Sequence, residues 1–147
     1  MSDLSALPSL PTLYTGIPGE SFGPREMVFQ PVVRDGRVGA EMHSLYSTAE
    51  TGVDGPAAAI MRYLPGADAP AHLHPGYEII WIIEGELETD DGVYPANSLL
   101  VMPPNSVHAP RSPKGAVGLV IWEQPVAPNA PSSDLEVPGV LAATELA

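Results

Sequence analysis

The sequence predicts an all-β protein, a single sandwich or barrel flanked by irregular arms. Three observations carry that expectation. Eighteen prolines and fourteen glycines in 147 residues disfavour long helices and demand many turns. Apolar stretches are short and are divided by turn signals. No stretch holds a helical apolar period. A chain of this length carries one domain with a real core and leaves two independent domains cramped.

Along the chain, Pro8, Pro11, Pro18 and Pro24 punctuate an N-terminal arm. Its Leu10, Leu13, Tyr14, Phe22 and Phe29 are too apolar for a solvated tail, so parts should drape over the barrel or a neighbouring subunit. Residues 40–46 alternate loosely as a strand, and 49–55 form a turn cluster. A strand over 58–64 should end at Pro65-Gly66. The unbroken run Ile79-Ile80-Trp81-Ile82-Ile83 suits a strand buried on both faces. Glu84-Gly85 marks a bend or bulge, 86–89 continue the strand, and Asp90-Asp91-Gly92 is the next hairpin turn. Strands follow over 98–102, closed by Pro103-Pro104-Asn105, and over 116–122, entered through Pro113-Lys114-Gly115. Pro128, Pro131 and Pro138 among small residues mark a C-terminal arm. The expected organisation is an N-terminal arm over 1–39, a barrel over 40–125 and a C-terminal arm over 126–147.

Composition removes several functions. A formal charge of −12, from 18 acidic and 6 basic side chains, repels phosphate backbones and anionic lipid. Neither nucleic acid nor membrane is an expected partner. No cysteine is present, which excludes disulfides, thiolate metal sites and cysteine nucleophiles together. No apolar run approaches the ~20 residues that cross a bilayer, and no basic-then-apolar leader opens the chain. A soluble cytoplasmic protein is the expectation.

The chemistry concentrates in Gly66-Ala-Asp-Ala-Pro-Ala-His72-Leu-His74-Pro-Gly-Tyr-Glu78, with Gly85 beyond. Alternate residues of a strand share a face, so His72 and His74 point the same way. Glu78 follows the Pro75-Gly76 bend and can turn its carboxylate toward them. His108, after the rigid Pro103-Pro104-Asn105 turn, can arrive from a neighbouring strand. A lone strand histidine is more often a satisfied polar residue than a ligand. Three histidines and a carboxylate grouped between bends point instead to a bound metal. Nitrogen and oxygen donors of this kind suit Zn, Fe(II), Mn, Ni or Cu, with open positions if the metal is octahedral. His43 has no partner at ligand spacing and reads as an ordinary surface or pocket histidine. Glu86, Glu88, Asp90 and Asp91 read as a solvated hairpin face. Met61, Tyr63, Trp81, Met102 and Trp122 read as core or pocket wall.

These residues resemble the motifs of the cupin superfamily. The first motif is met at every position, through Gly66, His72, His74, Glu78 and Gly85. The second is met at Pro103 and His108, with Asn97 and Asn105 where glycines would stand and Ser112 where an asparagine would. Asparagine is the best substitute for glycine at left-handed positions, so the backbone survives those two changes. Residues 45–125, a little over half the chain, are similar to the cupin domain of the anti-sigma factor ChrR. Leu45-Tyr-Ser, Arg62-Tyr-Leu-Pro-Gly, His72-Leu-His-Pro-Gly, Glu84-Gly-Glu-Leu and Pro103-Pro-Asn-Ser-Val-His-Ala-Pro carry that likeness. The resemblance implies a single-domain jelly-roll barrel (the double-stranded β-helix), dimeric, with a divalent transition metal inside held by His72, His74, Glu78 and His108.

With no cysteine and no helical N-terminal pattern in this sequence, the sigma-gripping role of ChrR's separate helical domain is not expected of it. Other small cupins cleave β-diketones or hydroxyacetophenones with Fe(II) and dioxygen, or act with zinc as cyclases and isomerases. The expected function is therefore a metalloenzyme on a small enolisable ketone, diketone or phenolic compound, an Fe(II) dioxygenase first. Glu78 is the candidate catalytic base if it leaves the metal, and the walls should come from Ile80, Ile82, Met61 or Tyr63, and Met102. The alternatives are a zinc cyclase or isomerase and a non-catalytic metal- or ligand-binding module.

Overall fold

A computed structural model of the chain describes residues 9–16, 19–33 and 36–128. Pro8, Pro18 and most of the expected C-terminal arm, with Pro131 and Pro138, lie outside them. In order, the elements are β1 (Leu13–Thr15), β2 (Gly23–Arg25), β3 (Gln30–Pro31), β4 (Val38–Tyr46), α1 (Thr48–Thr51), β5 (Ala57–Asp68) and β6 (His72–Leu73). Then come β7 (Glu78–Thr89), β8 (Gly92–Pro95), β9 (Leu99–Met102), β10 (Val107–His108), β11 (Arg111–Ser112), β12 (Ala116–Trp122) and β13 (Ala127–Pro128). The fold is the expected all-β jelly-roll barrel.

The main sheet runs β11-β7-β12-β5-β4-β3, with β8 and β9 also paired to β7. β11 pairs with both β7 and β5, so it replaces β12 between them. A smaller sheet, β10-β6-β13, carries two of the chain's histidines side by side. The inner face is filled by Met61, Tyr63, Ile80, Ile82, Leu87 and Val120 with small alanines between them. No helix among the described residues is long and apolar enough to cross a membrane.

Three local expectations are corrected. Pro65-Gly66 does not end its strand: β5 continues to Asp68, because the missing proline donor falls where the ladder to β4 slips between Tyr63 and Asp68. The turn cluster at 49–55 holds one helical turn, started by a capping box in which Ser47 and Glu50 satisfy each other's backbone ends. The Ile79–Ile83 run is buried on one face only. Ile80 and Ile82 are inside, while Ile79 and Trp81 are 37% and 45% exposed. They stand beside Val101 and Leu99 of β9, 56% and 65% exposed, in register across the ladder.

Of the apolar arm residues, Phe29 packs under the Arg62 guanidinium, 4.2 Å from its ring centroid, and beside His43. Tyr14 and Phe22 stand exposed. The acidic hairpin is less free than expected, since Arg111 reaches Glu88 at 3.2 Å and Asp90 at 3.0 Å.

Candidate metal centre

β6 and β10 pair antiparallel with His72 opposite His108, so register alone sets these two rings beside each other. His74 follows one residue past β6 on the same face as His72, as the period of two requires. Its backbone is tied at both ends: its N–H donates to Ser106 O at 2.9 Å, and its carbonyl accepts from Asn105 N–H at 2.8 Å. Asn105 has φ +70, and the Ser106 N–H donates to Pro103 O at 3.2 Å. That is the pattern of a type II turn with Pro104 then Asn105 at its centre. Asn97 has φ +68, so both asparagines occupy left-handed positions, where the sequence places them as glycine substitutes.

Glu78 opens β7 after the Gly76 bend. A Cβ at Gly76 would stand 3.1 Å from Glu123 Cβ, so this bend presses closely on the chain after β12. The Glu123 N–H donates to Tyr77 O at 2.9 Å and fixes the approach. Glu78 is thereby turned inward, 4% exposed.

One donor atom from each of His72, His74, Glu78 and His108 lies within 4.8 Å of all the others. His108 Nε2 is 2.8 Å from His72 Nε2, and Glu78 Oε2 contacts His74 Nε2 and lies 3.6 Å from His108 Nε2. The hydrogen-bond partners assign the tautomers. Ser106 Oγ–H donates to Pro103 O at 2.6 Å, so its oxygen accepts from His74 Nδ1–H at 3.0 Å. His72 Nδ1–H donates to Pro70 O at 3.1 Å. Both rings therefore present a bare Nε2 to the centre.

His74 Nε2 and Glu78 Oε2 are buried and have no hydrogen-bond partner, although they touch. Two acceptors without a proton between them repel, and buried polar atoms are not left so without cause. A cation between them removes the conflict, and this donor set fits a divalent metal. Charge points the same way. Burial keeps His72 below its ordinary value and holds His108 down to about 4, so both rings are neutral near pH 7. Burial pushes the Glu78 carboxyl up, and the pull of His74, then His108 and His72, leaves it lower than usual. Rings kept neutral by burial supply that pull poorly, whereas a bound cation supplies it well.

A pH dependence follows for the metal-free protein. The unfolded His108 takes a proton near pH 6.5, and the folded ring refuses it until about pH 4. Stability is therefore unaffected above the first value and falls as acidity rises through the window. The loss from this ring is on the order of 3 kcal/mol by the bottom of the window. Thermal melts of chelator-treated protein across that range check it; a midpoint that stays flat contradicts it.

The cluster borders a cavity of ≈ 160 Å³ whose walls include Met61, Tyr63, Ile80 and Trp122, with Arg37 and Thr48 as polar additions. Met61 and Tyr63 both face it, two residues apart on β5, which resolves that alternative. Ile82 and Met102 belong to the packed core instead. Sequence reasoning missed Ser106 and Arg37. The Pro-Pro-Asn turn was a signal for Ser106, while nothing in the pattern around Arg37 marks it. His43 stays outside the cluster, its Nδ1 held by the Val28 backbone at 3.1 and 3.2 Å.

The profile of the ChrR Cupin-like domain family matches residues 23–127. No curated protein matches the sequence. Among solved structures, the chain is similar to an acetylacetone dioxygenase from Acinetobacter johnsonii, with 19% identity over 67% of this chain and 70% of that one, at TM-score 0.60. It is similar to the polyketide cyclase RemF from Streptomyces resistomycificus, with 20% identity over 74% and 84%, at TM-score 0.59. It is also similar to the Rhodobacter sphaeroides anti-sigma ChrR in complex with SigE, with 15% identity over 66% of this chain and 49% of that one, at TM-score 0.53. At such identities the likeness speaks for the fold alone.

Proposed function

The chain belongs to the ChrR cupin-like domain family, and from that premise we propose a metal-dependent enzyme acting on a small enolisable ketone, diketone or phenolic compound, an Fe(II) dioxygenase first. The observation that supports it is the convergence of three imidazoles and one carboxylate at the edge of an apolar-walled cavity. His72, His74, Glu78 and His108 would hold the metal. When bound, the cation would act as a Lewis acid on substrate oxygens and ease removal of the neighbouring α-proton.

The chain's own groups do the rest. Glu78 is the one carboxylate among the cavity-lining residues described, so it is the acceptor for that α-proton when it leaves the cluster. Burial pushes the Tyr63 phenol up, so it stays protonated and donates to a substrate oxygen. Met61, Ile80 and Trp122 exclude water and favour carbon-rich substrates.

Solved structures of this fold include an acetylacetone dioxygenase and a polyketide cyclase, so the fold admits this reading and, as the second, a zinc cyclase or isomerase. A non-catalytic module is the third. Metal analysis of protein purified without added metal, joined to oxygen uptake with diketones and phenolic ketones, separates them. Iron with substrate-dependent oxygen consumption is expected. Zinc with anaerobic turnover selects the second reading, and tightly held metal with no turnover selects the third.

We also propose a cytoplasmic homodimer that covers the open face of Ile79, Trp81, Leu99 and Val101. These four exposed apolar side chains, paired Ile79 with Val101 and Trp81 with Leu99 across the β7–β9 ladder, form one patch that a copy of the same face can cover about a two-fold axis. Trp81→Glu should convert the dimer to monomer in sedimentation while metal content holds. An unchanged dimer would remove this face from consideration.

A further inference from the structure

β6 carries His72 and leads into His74, so whatever fixes this strand fixes two of the four donors. One flank is tied repeatedly. β10 pairs with it, Ser106 and Asn105 bond the His74 backbone, and the Ala69 N–H donates to Pro110 O at 3.0 Å. The other flank has β13 alone among the described residues, with Ala127 opposite Leu73 and Pro128 opposite His72. Strand parity turns Leu73 away from the donors. There it packs with Trp122 against Val126 and Ala127, in a small apolar cluster apart from the main core. Ala127 is fully buried and Val126 nearly so. Pro125 and Val126 also stand in the cavity wall beside His72. The end of the described chain thus braces the donor strand and closes one side of the cavity.

We propose that Val126 and Ala127 are positioning residues whose docking is coupled to the metal. The docked β13 holds His72 and His74 at the centre through Leu73, and a bound cation in turn holds β13 down. This rests on the reading of the four donors as a metal site and adds its regulation. A strand of two residues, paired along one edge only, opens at lower cost than the main sheet. Coupling of this kind runs both ways: the factor by which docking tightens metal binding equals the factor by which metal tightens docking. Undocking also takes Pro125 and Val126 out of the wall, so the cavity is more open in the metal-free protein.

The test uses the full chain with zinc alone as the probe. Amide exchange at Val126 and Ala127, followed by NMR, should slow about tenfold or more on zinc binding, while amides of β12 change less. Ala127→Asp forces a charge into the cluster with Leu73 and Trp122 and should undock the strand. Its zinc affinity by isothermal titration calorimetry should fall about tenfold to a hundredfold, with circular dichroism showing the barrel intact. Ala127→Gly keeps the cluster apolar and should keep most of the affinity. Equal slowing at β12 and at Val126 and Ala127, or a folded Ala127→Asp protein that binds zinc as tightly as the unaltered chain, overturns the coupling alone. If Ala127→Asp does not fold, the exchange result on the unaltered chain decides. An unaltered, folded chain that binds no zinc overturns the metal-site reading itself, and this inference with it.

Discussion

His74→Ala should leave the purified protein with less than about a tenth of the metal carried by the unaltered chain, and activity should fall in parallel. His74 is 1% exposed, its Nε2 has no other partner, and it is held on both sides by the 103–106 turn. Removing an outer-shell partner of a metal-binding histidine already costs about 10–100-fold in affinity, so losing the ring itself costs more. Ser106→Ala in the same series should show the smaller loss, because it frees His74 Nδ1–H without removing the donor. His43→Ala should retain full metal, since that ring is anchored to the Val28 backbone away from the cluster. Metal content per chain, measured beside circular dichroism to confirm folding, checks the order. Equal losses in His43→Ala and His74→Ala would contradict the account.

Gly85→Ala should destabilise the fold by about 3 kcal/mol or prevent its recovery in soluble form. Gly85 has φ +75, and a Cβ there would collide with the Gly115 carbonyl oxygen and stand 2.8 Å from Ala116 Cα. Neither neighbour can move cheaply, because both are backbone: Ala116 opens β12, which pairs with β7, and Gly115 directly precedes it. The residue pairs with Ala116 two positions beyond the slip at Ile83 in the β7–β12 ladder, and this bent stretch keeps Glu78 and Leu87 both on the inner face. Gly66→Ala is the matched comparison. It has φ +91 with nothing within 4 Å of a new Cβ, so only backbone strain of about 1–2 kcal/mol is expected. Denaturant unfolding of both variants checks the difference; similar small losses would remove the packing argument.

The candidate site was legible because its geometry is local. His72 and His74 share a face by strand parity, Glu78 follows one bend, and His108 meets His72 by the register of two short strands. The glycines and their asparagine stand-ins were legible for the same reason, since positive φ leaves a residue-type signature. What failed depended on partners distant in sequence. Pro65-Gly66 looked like a terminus, yet β5 tolerates it because the ladder on that side slips there. The Ile79–Ile83 run looked doubly buried, yet nothing in the described chain covers Ile79 and Trp81. The helical turn at Thr48–Thr51 was too short for periodicity, although Ser47 and Glu50 spell its capping box. Arg37 enters the cavity from an irregular segment, where no period says which way a side chain faces.

Anomalous diffraction from crystals of the purified protein, recorded at the absorption edge of whichever metal it carries, examines the centre directly. One peak is predicted, within bonding reach of the Nε2 atoms of residues 72, 74 and 108 and of the carboxylate at 78. A protein free of anomalous scatterer at that point after metal supplementation, or one whose peak sits elsewhere, would mean that the four donors do not form a metal site.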